Sequence, residues 1–380
     1  MKPLVVLGVT GSIGLQTLDV AKELGRDVVA IASRRGGEDL IAIANEWPRA
    51  AVAVADPSPQ ARDSCREVLG DRVAFGAEAI EELAATSGAV VVNGIVGAAG
   101  LSPSMAAAAA GNRLALANKE SLVAGGDVLT RAVAAGGAEI IPVDSEHSAL
   151  WQCLVGEPGF RRIILTASGG PFRRRSRATL ESVSVADALA HPTWAMGSRI
   201  TIDSATLMNK AFEVIEAHHL FAAAYDDIDV VVHPQSIIHS MVEYADGSVK
   251  AQLGDPDMRL PIQYAITYPA RADTASRHFD ITKQDLTFEA PDVATFRLLA
   301  LGYEAGRRGG SAPAVLNAAD EVAVAGFLAE QIAFLEIEAV VEHCLEKVSW
   351  RPMDTVEDVL AADSEARAKA AELVAALSSR

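Results

Sequence analysis

Ser204, Asn209, Lys210 and Glu213 bring a hydroxyl, an amide, an ammonium and a carboxylate into one short stretch, DSATLMNKAFEVIE from Asp203 to Glu216. Ser204 is a good helix N-cap, and Leu207, Met208, Ala211, Phe212 and Ile215 recur behind it at helical spacing, so a helix with a core-facing apolar stripe is expected. Residues three and four apart are neighbours on a helix surface, which puts Asn209, Lys210 and Glu213 on or near one face. Ser204, Asn209 and Lys210 suit a phosphate near the positive helix end, and Glu213, one turn on, suits a metal. The same pattern also describes a solvated amphipathic helix with a Lys210–Glu213 ion pair. A second centre is Asp144-Ser145-Glu146-His147. Two carboxylates at i and i+2 just past a strand can converge on one hard divalent cation, with Glu213 available as a third. His147 reads either as a partner to those carboxylates or as a surface residue.

The elements that must position these groups begin at the N-terminus. Leu4 to Leu7 is a short apolar run, followed by GVTGSIG and a helical pattern from Ile13 through Leu24: strand, Gly-rich turn, helix. Glycines there let a backbone approach a pyrophosphate at the helix start, although the G-x-x-G-x-x-G spacing departs from the commoner G-x-G-x-x-G. The second strand, Val28 to Ala32, ends in Ser33-Arg34-Arg35, where an NAD-binding protein places an acidic residue; two arginines favour the 2′-phosphate of NADP. Strands at 51–55, 89–97, 113–117 and 139–143 alternate with helical stretches, which argues for a parallel sheet. Ser102 and Pro103 read as the cap and first position of an Ala-rich helix. Asn118-Lys119-Glu120 lies at a strand's carboxyl end, where open α/β sheets place ligands, so Lys119 is a candidate for the substrate side of the cleft.

Farther on, Ser168 with Gly169 and Gly170 suits an anion held by hydroxyl and backbone N–H groups. His191, Trp194 and Met196 lie on a Pro- and Gly-bounded loop suited to closing over a ligand. DVVVHPQSIIHSMVEYADGSVKAQLG reads as strands with a hairpin turn at Asp246-Gly247, and the segments after 293 carry helical periodicity. Residues 271–292 read as a linker. Fifty acidic against 33 basic residues give a net charge of −17, which excludes nucleic acid as a natural partner and requires any phosphate site to be a local cluster of cations such as Lys119, Arg34, Arg35 or Lys210. Three widely spaced cysteines suggest a reducing compartment, and the absence of a leader or a long uncharged apolar run sets a cytoplasmic enzyme, without membrane attachment, as the expectation.

GVTGSIG, LANKESLV, PVDSEHSAL, TASGGPF, HPTWAMG, DSATLMNKAFEVIEA, HPQSIIHSMVEY, AQLGDPDMR and VLNAADEVAVAGFL, in this order, resemble the signatures of the 1-deoxy-D-xylulose 5-phosphate reductoisomerases of the non-mevalonate isoprenoid pathway. The resemblance spans the chain. It implies an α/β fold with an N-terminal Rossmann-like NADPH domain (1–143), a central α/β catalytic domain with a flap (144–270), a linker (271–292) and a C-terminal helical bundle (293–380), assembled as a homodimer. It further implies NADPH around Thr10, Gly11, Ser12 and Ile13, with Ser33, Arg34 and Arg35 at the 2′-phosphate and Asn118 and Glu120 nearby. Asp144, Glu146 and Glu213 would hold Mg²⁺ or Mn²⁺. Ser145, Lys119, Ser168, His191, Ser204, Asn209 and Lys210 would bind a small phosphorylated sugar, and Trp194 and Met196 would close over it; Lys119, His191 and the metal carboxylates are the expected catalytic groups. Relatives often carry Gly-Lys-Asn where this chain has Ser-Arg-Arg, and Arg34 keeps the needed charge. Another NADP-dependent dehydrogenase would leave the three carboxylates without a purpose, and a silent nucleotide sensor would leave the Ser168, Asn209, Lys210 group without one.

Overall fold

The computed structural model describes residues 2–194, 196–273, 279–283 and 285–379. The chain forms two compact units built from separated stretches: Met1–Ser121, Leu129–Ser148 and Asp257–Arg277 in the first, and Leu122–Val128, Ala149–Pro256 and His278–Arg380 in the second.

In the first unit, strands β1 (Leu4–Leu7), β2 (Val28–Ser33), β3 (Ala51–Val54), β4 (Val73–Phe75), β5 (Val90–Asn93), β6 (Arg113–Leu116) and β7 (Glu139–Pro142) form one sheet in the order β4-β3-β2-β1-β5-β6-β7. Every pairing is parallel. Runs such as LVVL and VVVN are buried along their whole length, as strands covered on both faces by helices must be. The strand order reverses at β1 and β5, the switch point where such sheets open a ligand crevice at their carboxyl ends. Helix Arg259–Thr267 packs on helix Ser12–Glu23 in this unit, and the buried Arg26 donates to the Ile266 carbonyl at 2.7 Å. The Ala-rich helix runs Leu101–Ala109 with Gly100 at its N-cap, so Ser102 is not the expected cap. Proline lacks only an N–H that the first turn leaves unpaired, so it tolerates a start two residues earlier.

The second unit holds a four-stranded sheet of β8 (Arg162–Ala167), β9 (Ile228–Val232), β10 (Ile238–Glu243) and β11 (Val249–Leu253), in the order β11-β10-β8-β9. β8 and β9 are parallel, and β10 runs antiparallel to β8 and β11, with the expected hairpin at Asp246-Gly247. The C-terminal helical segments are helices Leu298–Arg308, Ala312–Leu328, Glu336–Lys347 and Val356–Ser378. Their buried faces and the stripe Met208, Ala211, Phe212, Ile215 belong to one apolar core. Helix Met208–Phe221 crosses Leu298–Arg308 so closely that a Cβ on Gly302 would lie 2.4 Å from that of Ala211. Of the expected linker, residues 274–278 and 284 lie outside the described residues; Glu289 pairs with Val232 at the edge of the sheet. No helix of the described residues is long and apolar enough to cross a membrane.

Candidate active site

In the first unit, the candidate cofactor residues collect where β1 and β2 end. Gly8, at φ +78°, turns the chain so tightly that a Cβ would lie 2.6 Å from the Gly94 carbonyl oxygen, and Gly14 seats the helix within 2.5 Å of where a side chain would strike Val9. Both glycines are thus required by close backbone approach. Helix Ser12–Glu23 starts after an extended Gly11 with no side-chain cap, and Thr10, Gly11 and Ser12 are exposed. An uncapped, exposed helix start presents N–H groups and positive dipole charge to an anion. At the end of β2, the buried Ser33 hydroxyl accepts from the Gly36 N–H at 3.2 Å, which shapes the turn holding Arg34 and Arg35 in solvent. Arg34 approaches Asp56 only to 3.9 Å, with both side chains about three-quarters exposed, so its guanidinium remains open to a phosphate.

β6 and β7 deliver the candidate chemistry. The Asn118 amide donates to the carbonyls of Ile95 (2.8 Å) and Gly97 (3.0 Å) and to Glu120 (2.7 Å), and its oxygen accepts from the Ser121 N–H at 3.0 Å. Asn118 therefore fixes the loop after β5 with its whole side chain. The nearly buried Lys119 ammonium lies 3.0 Å from Asp144 Oδ2. Asp144 Oδ1 accepts from the Glu146 N–H at 3.2 Å and lies 3.4 Å from His147 Nδ1. His147 is fully buried and faces the carboxylate; of its two readings, the partner holds. The Ser145 hydroxyl donates to Glu146. The chain leaves the pleat at Asp144 and starts helix Ser145–Leu154 at once, which is how residues at i and i+2 come to share one side.

In the second unit, the Ser168 turn follows β8. Gly169 and Gly170 have φ of +81° and +66°, and a Cβ on Gly170 would lie 2.6 Å from the Ser204 carbonyl oxygen, so the turn lies directly on helix Ser198–Thr206. Ser168 Oγ is 2.9 Å from His191 Nε2 and 3.5 Å from Ser204 Oγ. His191 Nδ1 accepts from the N–H groups of Thr193 (3.2 Å) and Trp194 (2.9 Å). That fixes the tautomer: the proton sits on Nε2 and is donated to Ser168. Burial pushes the His191 pKa down, which favours this neutral ring. The same two N–H contacts fold residues His191–Trp194 into a tight turn, and Thr193 donates to the Pro234 carbonyl at 3.3 Å. The Trp194 ring lies 6.3 Å from that of His239, and Met196 is half-buried on the same loop.

Ser204 is not an N-cap. The expected single helix is two, Ser198–Thr206 and Met208–Phe221, broken at Leu207 with φ +63°. Ser204 lies in the last turn of the first helix, while Asn209 and Lys210 lie in the first turn of the second. The capping acceptor at the break is the Thr206 hydroxyl, which takes the Met208 N–H at 3.3 Å. Its position in the middle of an unbroken periodic pattern hid it. The i, i+3 and i, i+4 contacts are present: the buried Lys210 ammonium pairs with Glu213, and Asn209 Nδ2 donates to Glu213 at 2.5 Å. Lys210 and Glu213 are both almost fully buried, which removes the solvated-helix reading.

Family models describing 1-deoxy-D-xylulose 5-phosphate reductoisomerase and its C-terminal domains match residues 4–126, 140–221 and 253–369. A 1-deoxy-D-xylulose 5-phosphate reductoisomerase of Xanthomonas oryzae pv. oryzae (strain PXO99A) is 50% identical over 380 residues, covering 97% of this chain and 95% of that protein. One from Thermosynechococcus vestitus is 50% identical over 384 residues, covering 98% and 93%. Among solved structures, the Zymomonas mobilis enzyme in complex with NADPH superposes with a TM-score of 0.91 at 43% identity, over 98% of this chain and 99% of that one. A DOX-P reductoisomerase in complex with NADPH, fosmidomycin and magnesium gives 0.92 at 38% identity, over 98% of each chain. Matched along nearly its whole length in both sequence and fold, the chain belongs to the 1-deoxy-D-xylulose 5-phosphate reductoisomerase family.

Proposed function

We propose that the residues gathered at the carboxyl edge of the first unit's sheet, and around the Ser168 turn of the second, are the cofactor, metal and substrate groups of this enzyme. The reaction is the NADPH- and divalent-metal-dependent rearrangement and reduction of 1-deoxy-D-xylulose 5-phosphate to 2-C-methyl-D-erythritol 4-phosphate. The observation that carries the residue assignment is that one parallel sheet presents, along a single edge, an uncapped helix start, an exposed Arg34 and the Lys119, Asp144, Glu146 group. That is a dinucleotide turn and a hard-cation donor pair on one scaffold.

In this reading Thr10, Gly11, Ser12 and Ile13 receive the NADPH pyrophosphate, Ser33, Arg34 and Arg35 the 2′-phosphate, and Asn118 and Glu120 hold the neighbouring loop. Asp144, Glu146 and Glu213 are the metal ligands; their carboxylates are the oxygen donors that Mg²⁺ and Mn²⁺ prefer. When bound, the metal supplies Lewis-acid polarisation of adjacent substrate oxygens and NADPH supplies the hydride. The chain's own work is orientation and charge. Lys119 holds an ammonium against Asp144, where it offsets negative charge and can donate to a substrate oxygen along with Ser145. Ser168, His191 and Ser204 form a hydroxyl and N–H cluster for the phosphate, Asn209 and Lys210 add an amide and a cation, and His191 keeps its Nε2 proton pointed inward. Trp194 and Met196 exclude water when the loop closes, using the binding energy of the remote phosphate. We keep 1–143, 144–270 and 293–380 as the functional division around the 271–292 linker, and a homodimer as the assembly; sedimentation showing a monomer at concentrations where the enzyme turns over would overturn the latter.

The test is loss of reduced-nicotinamide absorbance with 1-deoxy-D-xylulose 5-phosphate, with Mg²⁺ or Mn²⁺ and with excess EDTA. Oxidation that stops with chelator and returns with metal is expected. Oxidation indifferent to EDTA would remove the carboxylate group from the chemistry.

A further inference from the structure

Helix Ser198–Thr206, which carries Ser204, packs on helix Ala312–Leu328. Two carboxyl groups are buried in that contact, Asp203 at 3% and Asp320 at 0% exposure. Neither Asp320 oxygen has an N–H or O–H donor within hydrogen-bond distance among the described residues. The Arg199 guanidinium comes to 3.8 Å of Asp320 and 3.7 Å of Asp203, but its short hydrogen bonds go to Glu321 and Asn317, each at 3.0 Å. Arg367, from helix Val356–Ser378, is bound to Glu321 at 2.7 Å and Asp363 at 2.6 Å. Four carboxyl groups therefore face two guanidinium groups. A fully buried carboxylate without donors, as at Asp320, is strongly unfavourable, and the charge of a second buried carboxyl group nearby makes it worse. Burial first, then the charge of Asp203, raises the Asp320 pKa well above the usual carboxylate range. A neutral Asp320 has an O–H, and the Asp203 carboxyl, approached by the same Arg199 guanidinium, is the acceptor available to it.

We propose that Asp320 is a positioning residue for the phosphate end of the substrate: its carboxyl O–H donates to Asp203, and this clamp, braced by Arg199, fixes helix Ser198–Thr206 so that Ser204 stays in register with Ser168. The inference rests on the reading that Ser168, His191 and Ser204 hold the phosphate. Asp203 is the immediate neighbour of Ser204, and Arg199 lies in the first helical turn after the His191–Gly197 loop. A shift of that helix would separate the hydroxyl groups, which stand 3.5 Å apart, and would also move the Ser204 carbonyl against which Gly170 is packed. Misplacement by about 1 Å is enough to cost on the order of 100-fold in kcat/KM.

Asp320→Asn supplies an N–H donor of the same shape that cannot titrate, and Asp320→Ala supplies none. The Ala variant is expected to lower kcat/KM for 1-deoxy-D-xylulose 5-phosphate by on the order of 100-fold, mostly through KM, with NADPH affinity within about 2-fold of wild type. The Asn variant is expected to restore KM at neutral pH. In the wild type, kcat/KM should fall on the alkaline side as the Asp320 proton leaves and the two carboxylates repel, and Asp320→Asn should lack that limb. An Asn variant as impaired as the Ala variant, or one that keeps the alkaline limb, would overturn the proposal; if Asp320→Ala does not fold, the pH profile of Asp320→Asn against wild type decides alone. Infrared difference spectra at neutral pH, without substrate, should show a protonated-carboxyl band that Asp320→Asn removes, and absence of that band in wild type overturns the clamp whatever the kinetics. The phosphate reading is tested separately by Ser204→Ala, whose unchanged KM would sink that reading and leave the infrared result to judge the Asp320 proton.

Discussion

Glu213 is the residue on which the metal assignment turns. It is wholly buried, it accepts from Lys210 and Asn209 on its own helix, and a carboxylate so placed is held rigidly for one task. Glu213→Gln keeps the shape and removes the charge. Loss of a metal ligand costs at least as much as loss of a ligand's supporting partner, so turnover should drop by about 100-fold or more while NADPH affinity holds. Turnover at the wild-type level would end its role as a ligand. Arg34 answers a different question. Exposed and only loosely paired, it is free to bind a phosphate, so Arg34→Ala should weaken NADPH by about 10-fold, the worth of a charge-assisted hydrogen bond, and leave NADH nearly unchanged. Equal weakening of both would exclude 2′-phosphate recognition. These side chains were legible from residue type and spacing. Thr206 was not, because its capping role exists only once Leu207 adopts a left-handed conformation, which nothing in the apolar periodicity signals.

At the scale of elements, the Ser168 turn and helix Ser198–Thr206 behave as one piece, since Gly170 allows backbone to lie on backbone. Gly170→Ala would place a Cβ 2.6 Å from the Ser204 carbonyl oxygen at φ +66°, where an L side chain is also strained. The expected outcome is a loss of about 1–3 kcal/mol in denaturant unfolding together with a raised KM for the phosphorylated substrate. An unchanged unfolding midpoint would show that the turn yields easily and does not set the hydroxyl cluster. Six strands of the parallel sheet were readable because each is a short, mostly apolar run between helical stretches, and the hairpin because Asp-Gly supplies the turn that its strands need; β4, three residues long with an exposed Ala74 at its centre, carries no such run and was not read. The break at Leu207 was not readable: the stripe Leu207, Met208, Ala211, Phe212, Ile215 is buried on either side of it, so burial alone gives one pattern to one helix or to two.

Across the whole molecule, the consequence open to measurement is acid sensitivity. His219 packs so tightly on Gly126 that a Cβ there would lie 2.2 Å from its Nε2, and burial drives the imidazole down to about 4, against a smaller opposing pull from Asp127 3.7 Å away. Because the folded-state pKa lies below the unfolded one, the unfolded chain binds the extra proton first. Stability is therefore lost as pH falls from about 6.5 toward about 4, with the full penalty of about 3 kcal/mol present below that. Unfolding midpoints measured from neutral pH down through this window should fall, and His219→Gln should flatten the slope; an identical slope in the variant would assign acid sensitivity elsewhere.

Sequence by itself determined the residue types, their order and their local periods: a Gly-rich turn after a buried strand, two arginines where an acid is usual, carboxylates at i and i+2 past a strand end, and Asn209, Lys210 and Glu213 on one helical face. Those are properties of neighbours along the chain, and covalent geometry fixes them. Tertiary structure decided what depends on distant partners: that His147 is buried against Asp144, that Asn118 is fully engaged by the loop after β5, that Ser204 ends a helix beside Ser168, and that Arg199 approaches both Asp203 and Asp320. The environment of each of these groups is set by backbone approaching from elsewhere in the fold, and burial, charge state and tautomer follow from that environment and not from the residue's place in the chain.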